Sequence, residues 1–494
     1  MTPWTNKNSA LLFLAVASLS SFLFFFKLGD RSLRNPDEGR YAEIAKEMVL
    51  RHDWIEPRLY GIDYLKKPVL FYWLLAVSFK IFGFNEFAAR FVPALFGVLG
   101  VVMTFFFAKR VFGTKTGFYA ALILTTNFWY LQTGRYLLID MVFSFLAVAA
   151  LYSFYLARTE DRHRRAYHLL FYVCVSLAFL AKGPVGIVIP GLAVVLFMTV
   201  QRRFWSVLSQ MNLLEGILIF SLIVLPWFIL ISLKEPEFIR IFFFHEHWAR
   251  FVSSQFEHQE AWYYYFLAVL VLLLPWTLFV VPLTRSFSVF KDKVARAPHV
   301  FLIGSALGLV IFFSLSESKL PTYILPCIPL FSVFLGYAWA QSSAKKLFYA
   351  LITAMVLISI PVAYLMEKFN RDYTTKPFAQ TLRPLLKADD LVFIYDHPGP
   401  FYDFRFYLDH PVKLVGLEGE FKYSDEKINA QLVQDQEEKE SWVTREEFYE
   451  MMKQGKKLYC LIRKSDFSEM DPEIKKLTLI LNQDERKILF QTNP

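Results

Sequence analysis

Asn35-Pro-Asp-Glu-Gly-Arg-Tyr-Ala-Glu-Ile-Ala-Lys-Glu-Met48 comes just after the first long apolar run, Ala10 to Phe26. It packs Asp37, Glu38, Arg40 and Glu43 into one short stretch. It reads as a helix start: Asn35 suits a cap, Pro36 the first helical position, and Glu38 the far end of a capping box. Asp37, Arg40 and Tyr41 fall on one helix face. Charge this dense beside an apolar span must face water or a polar cavity, because hydrocarbon excludes it. Locally, Glu38 reads as a cap. Asp37 reads either as a complement to the helix dipole or as a functional carboxylate, and the rest of the chain has to decide between the two.

The surrounding composition is that of a membrane protein. Of 494 residues, 55% are hydrophobic and 18% aromatic, with 53 phenylalanines, and the mean hydropathy is +0.36. A soluble chain of this length is far less apolar. The net charge of +9 fits basic cytoplasmic loops better than nucleic acid, for which no basic-aromatic motif is present. Cys174, Cys327 and Cys460 have neither metal spacing nor the look of a disulfide framework. The first apolar run lacks a small-residue cleavage site and is read as a retained span.

Working outward, candidate spans fall at 10–26, 90–108, 117–134, 138–157, 167–181, 184–200, 213–232, 262–283, 299–315, 321–340 and 347–366. Basic clusters at Lys109, Arg110 and Lys115, at Arg158 to Arg165, at Arg202 and Arg203, at Arg285 to Arg296, and at Lys345 and Lys346 all fall on the side of the N-terminus. The positive-inside rule makes that side cytoplasmic. Counting the short run Pro68 to Phe84 as a span would reverse this pattern, so it is read as an interfacial or partly buried helix on the outer side. The fold expected is therefore a mainly α, polytopic membrane protein with about eleven transmembrane helices. Residues 1–366 form its membrane part, with long outer loops at 27–89 and 233–261.

Beyond Met366 the chain turns polar. Leu391 to Tyr395, Val412 to Val415, Lys457 to Ile462 and Leu477 to Leu481 read as strands, and Glu426 to Gln454 as mostly helical. Thr444-Arg-Glu-Glu447 is a plausible cap and Gly455 a plausible stop. Residues 367–494 are expected to form a small soluble α/β domain outside the cytoplasm.

This topology gathers Asp37, Glu38, Arg40, Tyr64, Lys66, Lys67, Arg135, Asp140, Lys182, His245, His247, Arg250, Lys319 and Tyr323 on the outer side. Asp140 lies just inside a span and needs a partner, for which Arg135 or Arg40 is available. Lys182 and Lys319, taken singly, read as span-end lysines reaching for headgroups. Carboxylates and cations at one membrane face suit group transfer from a lipid phosphate: cations stabilise the departing phosphate, and a carboxylate orients or deprotonates the attacking oxygen.

Six motifs occur together and in order: Asn35-Pro-Asp-Glu-Gly-Arg-Tyr-Ala-Glu-Ile44, Tyr64-Leu-Lys-Lys-Pro68, Ala178-Phe-Leu-Ala-Lys-Gly-Pro184, Leu225-Pro-Trp227, Glu246-His-Trp-Ala-Arg-Phe251 and Lys319-Leu-Pro-Thr-Tyr-Ile-Leu-Pro326. With them the chain resembles the aminoarabinose transferase branch of the protein-mannosyltransferase-like glycosyltransferases, over residues 1 to about 340. The resemblance implies the GT-C fold and an inverting glycosyltransferase. Its donor would be a sugar on a polyprenyl phosphate, typically undecaprenyl phosphate. Its default acceptor would be a lipid A phosphate at the periplasmic face of a bacterial inner membrane.

The resemblance also implies roles. Asp37 matches the essential acidic residue of the first outer loop, with Arg40 as its nearby cation, and Asp140 matches a second acidic residue at the start of a span. Lys67 matches the donor-phosphate lysine, with Tyr64 nearby. His247 and Arg250 match residues of the second large loop. Apart from the resemblance, the mechanism expected has Lys67, helped by Arg250 and Tyr323, neutralise the departing phosphate. Where relatives carry an acidic residue that pairs with the loop histidine at a metal, this chain has Lys66. A second lysine disfavours a cation site, and the metal is left open. Transfer to a protein hydroxyl or a growing glycan remains an alternative acceptor reading. A lipid transporter or flippase is the alternative outside the enzyme class; it would place charges near the bilayer midplane in symmetric halves.

Overall fold

A computed structural model describes residues 6–202, 204–249, 259–279, 293–416 and 441–492. The chain divides into two compact units.

The first unit comprises Met1–Leu28, Leu65–Phe71 and Arg90–Val362 and is helical. Among the described residues of the whole chain, six helices are long and apolar enough to cross a membrane, and four further apolar helices are shorter. This makes the protein a multi-pass membrane protein. Helix Ile139–Thr159 is the most enclosed of the long helices. Its residues Ala147, Ala149 and Ala150 are small enough to let neighbours approach, and Tyr152 stacks on Phe107 with ring centroids 3.8 Å apart. Leu213–Lys234 and Lys345–Asn370 leave most of their apolar surface uncovered, as lipid-facing helices do.

Two expected spans are interrupted. Within 117–134 the helix Thr114–Thr126 stops, and a second helix, Phe128–Gly134, begins after Asn127. Asn127 makes the break: its Oδ1 accepts from the Tyr130 N–H (2.8 Å), and its Nδ2 donates to the Leu272 carbonyl (2.8 Å). Within 262–283 the helix Tyr264–Leu272 ends ahead of Pro275 and a 3-10 turn follows over Trp276–Phe279. The remainder of that run lies outside the described residues.

The second unit comprises Gly29–Tyr64, Tyr72–Ala89 and Ala363–Pro494. The quoted stretch forms the helix Asp37–Arg51. A short antiparallel pair follows, β1 (Arg58–Leu59) and β2 (Ile62–Asp63). Leu70–Phe82 is a helix of 13 residues. At 1.5 Å per residue it extends roughly 20 Å, too short for a bilayer core of about 30 Å.

The C-terminal part carries a six-stranded sheet from β3 (Leu391–Tyr395), β4 (Lys413–Val415), β5 (Trp442–Val443), β6 (Leu458–Arg463), β7 (Thr478–Gln483) and β8 (Lys487–Thr492). The spatial order is β5-β4-β3-β6-β8-β7. The first four strands are parallel and the last two add antiparallel. Phe393, Val415, Phe448, Cys460, Ile462 and Phe490 form its core. Of the stretch Glu426 to Gln454, expected to be mostly helical, residues 441–454 are described: Trp442–Val443 is strand β5 instead, and Arg445–Lys453 is a helix with the Thr444–Glu447 capping box formed. Gly455 ends it in the left-handed region.

The first helix of this unit departs from the sequence reading. Its N-terminus has no side-chain cap. Asn35 donates to the Pro400 carbonyl (2.9 Å) and to the Asp403 carboxylate. Glu38 accepts from the Arg34 N–H (2.9 Å) and pairs with Arg31 (3.2 Å). Partners in the C-terminal sequence have replaced the local ones, because they satisfy both donors of Asn35 and its acceptor at once.

Candidate active site

In the first unit, two antiparallel helices bring opposite charges together. Asp140 sits in the first turn of Ile139–Thr159, and Lys182 is the last residue of Arg164–Lys182. Each charge complements the dipole of its own helix. Lys182 Nζ lies 2.5 Å from Asp140 Oδ1, and the two side chains are only 12% and 11% exposed. The same ammonium stands 4.5 Å from the ring centroid of Tyr323 and 5.2 Å from that of Phe143. Tyr323 belongs to the turn Pro321–Ile324, whose entry is held by Tyr265, donating to the Leu320 carbonyl at 3.0 Å.

Lys182 was passed over singly in the sequence, and the partner expected for Asp140 was Arg135 or Arg40. Arg135 instead donates to the Leu23 carbonyl (2.6 Å). The signal that pointed to Lys182 was its place beside Gly183-Pro184 at an outer helix end, combined with Asp140's need for a counter-charge. Lys319, the other lysine passed over, is buried, and its Nζ donates to the Glu260 and Ser316 carbonyls.

His247 lies in the π-helix Arg240–Ala249. Its Nδ1 is 2.7 Å from the Phe242 carbonyl, and its Nε2 is 3.3 Å from that of Lys182. Burial, and then the charge of Lys67, lower its pKa to about 4, so the imidazole is neutral at physiological pH. Gly183, at φ +79°, makes the close approach possible: a Cβ there would lie 2.6 Å from His247 Nε2. Asp140, Lys182, Tyr323, His247 and Lys67 thus all belong to the first unit. Arg250 lies outside the described residues.

The donor set around His247 does not suit a divalent cation. Lys67 places positive charge beside the ring, which repels a cation at Nε2. The residue before Lys67 is the buried Lys66, which as an ammonium offers no lone pair. Among the described residues His247 joins no group of three or more acidic, cysteine or histidine ligands.

The second unit holds the other predicted residues. Arg40 Nη2 is 2.5 Å from Asp37 Oδ1, with Asp37 half exposed and Arg40 mostly buried. The Arg40 guanidinium also faces the rings of Tyr41 (5.4 Å) and Tyr64 (6.0 Å). An exposed carboxylate fixed by a buried guanidinium is oriented while keeping one oxygen available.

Comparison with known proteins adds a second line of argument. Residues 66–230 match the dolichyl-phosphate-mannose-protein mannosyltransferase family. An undecaprenyl phosphate-alpha-4-amino-4-deoxy-L-arabinose arabinosyl transferase from Edwardsiella ictaluri is 34% identical over 326 residues, 65% of this chain and 58% of the relative. One of the same name from Yersinia enterocolitica is 33% identical over 338 residues, 67% of this chain and 60% of the relative. This chain is similar to these arabinosyl transferases over the matched residues. It spans about 60% of their length.

The crystal structure of ArnT from Cupriavidus metallidurans bound to undecaprenyl phosphate superposes with a TM-score of 0.83 at 23% identity, covering 99% of this chain and 98% of that one. The archaeal oligosaccharyltransferase AglB from Archaeoglobus fulgidus matches with a TM-score of 0.56 at 12% identity, covering 96% and 72%. The fold expected from the sequence, a polytopic GT-C architecture with a small C-terminal sheet domain, is the one found.

Proposed function

We propose that this chain is an inverting glycosyltransferase of the bacterial inner membrane. It moves aminoarabinose from undecaprenyl phosphate to a lipid A phosphate on the periplasmic face. Residues 1–366, with outer loops 27–89 and 233–261, carry the catalysis, and residues 367–494 form a soluble periplasmic domain.

The observation that carries this reading is the ammonium of Lys182, enclosed by Asp140 and the Tyr323 ring at the outer ends of apolar helices. The pair holds the Tyr323 ring there, and a tyrosine hydroxyl is a hydrogen-bond donor for an anionic headgroup whose lipid tail runs along the helices. The names of the relatives support the donor and the acceptor class.

In the reaction, an acceptor oxygen attacks the anomeric carbon from the side opposite the leaving group. The new carbon–oxygen bond forms as the bond to the donor phosphate breaks, and undecaprenyl phosphate leaves with the electron pair. Lys67, Arg250 and Tyr323 stabilise the departing phosphate, and the Asp140–Lys182 pair fixes Tyr323 among them. Asp37, held by Arg40, whose guanidinium faces the Tyr64 ring, positions the acceptor. A phosphate acceptor is already an anion near neutral pH and needs no base. Neutral His247 contributes shape and hydrogen bonding without adding charge beside Lys67.

Asp37→Asn is expected to lower turnover by at least about 100-fold, the scale of a lost positioning group, with donor binding intact. The check is transfer to lipid A followed by mass spectrometry. Wild-type turnover in that variant refutes the role of Asp37.

A further inference from the structure

Asn35 and Gly39, on either side of Asp37, both meet the C-terminal sequence. Asn35, two residues before Asp37, is bound on every side by residues far along the chain. Its main-chain N–H donates to the Tyr373 carbonyl (2.9 Å). Its Nδ2 donates to the Pro400 carbonyl (2.9 Å) and to the Asp403 carboxylate. Its Oδ1 accepts from the Asp403 N–H (3.0 Å).

Asp403 is fully buried. Besides Asn35, its carboxylate accepts from Thr374 Oγ1 (2.7 Å), Thr375 Oγ1 (2.7 Å) and the Thr375 N–H (3.0 Å). Burial pushes its pKa up, against those bonds. A buried carboxylate with this many fixed donors is a rigid anchor, since any movement strands a polar group away from water.

Gly39, two residues after Asp37, reaches the same loop. A Cβ at Gly39 would lie 2.2 Å from Asn35 Oδ1, 2.6 Å from the Asp403 nitrogen and 3.0 Å from the Tyr402 carbonyl carbon. The first turn of the helix therefore meets the chain at 402–403 backbone to backbone. The seam continues down the helix: Glu43 and Glu47 both pair with Arg405. Lys46 donates to the carbonyls of Arg405 (3.3 Å) and Phe406 (3.2 Å).

We propose that Asp403 is a positioning residue for the transfer reaction: acting through Asn35 and the close approach at Gly39, it fixes where the Asp37 carboxylate stands. This rests on the reading that Asp37 belongs to the active site. The soluble domain is then part of the catalytic apparatus. It holds the reactive turn in place, and Lys67, proposed to stabilise the departing phosphate, belongs to the other unit. A displacement of about 1 Å in a positioned group costs on the order of 100-fold in rate.

The test uses the full chain in lipid nanodiscs, with Asp403→Asn and Gly39→Ala as separate variants. Asp403→Asn turns one acceptor oxygen into an NH2 group facing other donors. Gly39→Ala pushes the loop off the helix without touching the carboxylate, and it serves if the first variant fails to fold. Two readouts are taken: amide hydrogen exchange at residues 38–41, and kcat and KM with undecaprenyl phosphate-aminoarabinose as donor and lipid A as acceptor.

The expected result is exchange at 38–41 faster by at least about 10-fold, with exchange in Ile139–Thr159 unchanged. With it, kcat falls by at least about 10-fold and donor KM stays within about twofold of wild type. Unchanged exchange at 38–41, or a raised donor KM with kcat intact, overturns the proposal. If Asp37→Asn retains full turnover, the catalytic reading of Asp37 fails on its own, and with it the positioning role of Asp403. The exchange readout then still reports whether the seam holds the helix.

Discussion

Removing one half of the Asp140–Lys182 pair leaves the other charge enclosed without its counter-charge. With side chains only 11% and 12% exposed, the pair falls in the class where losing one partner costs about 3–5 kcal/mol. In Asp140→Asn the stranded ammonium still faces the Tyr323 and Phe143 rings, which offset roughly 1 kcal/mol of that. The net cost is then about 2–4 kcal/mol. At 1.4 kcal/mol per decade, this corresponds to a fall in kcat/KM of roughly 30- to 1,000-fold, if it is expressed at the donor site. Lys182→Met strands the carboxylate instead and is expected to fall in the same range. The double variant removes both charges, so its loss should be no larger than that of either single variant, with a coupling energy above about 2 kcal/mol. The assay is transfer of aminoarabinose to lipid A at limiting donor for wild type, both singles and the double. If the two single losses simply add in free energy, within about 0.5 kcal/mol, the pair is not coupled and the argument from its geometry fails.

Two further outcomes follow from local structure. Burial raises the Glu43 pKa from 4.5 to about 7, with Arg405 and Lys46 opposing and Glu47 and Asp409 reinforcing the rise. A carboxyl raised in the folded state contributes stability that is full below pH 4.5 and is lost as pH rises through about 7. Glu43→Gln should therefore flatten the fall in melting temperature between pH 4.5 and 7 and be more stable than wild type at pH 8; a slope unchanged from wild type contradicts this. Gly183→Ala, by contrast, puts a Cβ in the left-handed region and 2.6 Å from His247 Nε2. It should cost at least about 1–2 kcal/mol and displace the imidazole, read as a lowered melting temperature and a changed histidine NMR signal. A wild-type histidine signal would show that the approach is not tight.

What the sequence made legible is what depends on neighbours along the chain. Long apolar runs specify spans because backbone polar groups in hydrocarbon must be satisfied within the helix. The Thr444–Glu447 capping box and the Gly455 stop were readable because a cap bonds only to its own first turn. Strands β3, β4, β6 and β7 showed as apolar, β-branched runs. The two-residue β5 and the Lys487-led β8 did not, because they are strands only by virtue of the partners they pair with.

The tertiary structure decided the identity of long-range partners. Asp140 plainly needed a counter-charge, but its choice of Lys182, 42 positions away, depends on which helix ends meet. Asn35 had every local mark of a cap, yet it bonds to residues 373–403. A buried amide goes where the most of its donors and acceptors are satisfied at once, and only the folded chain determines where that is.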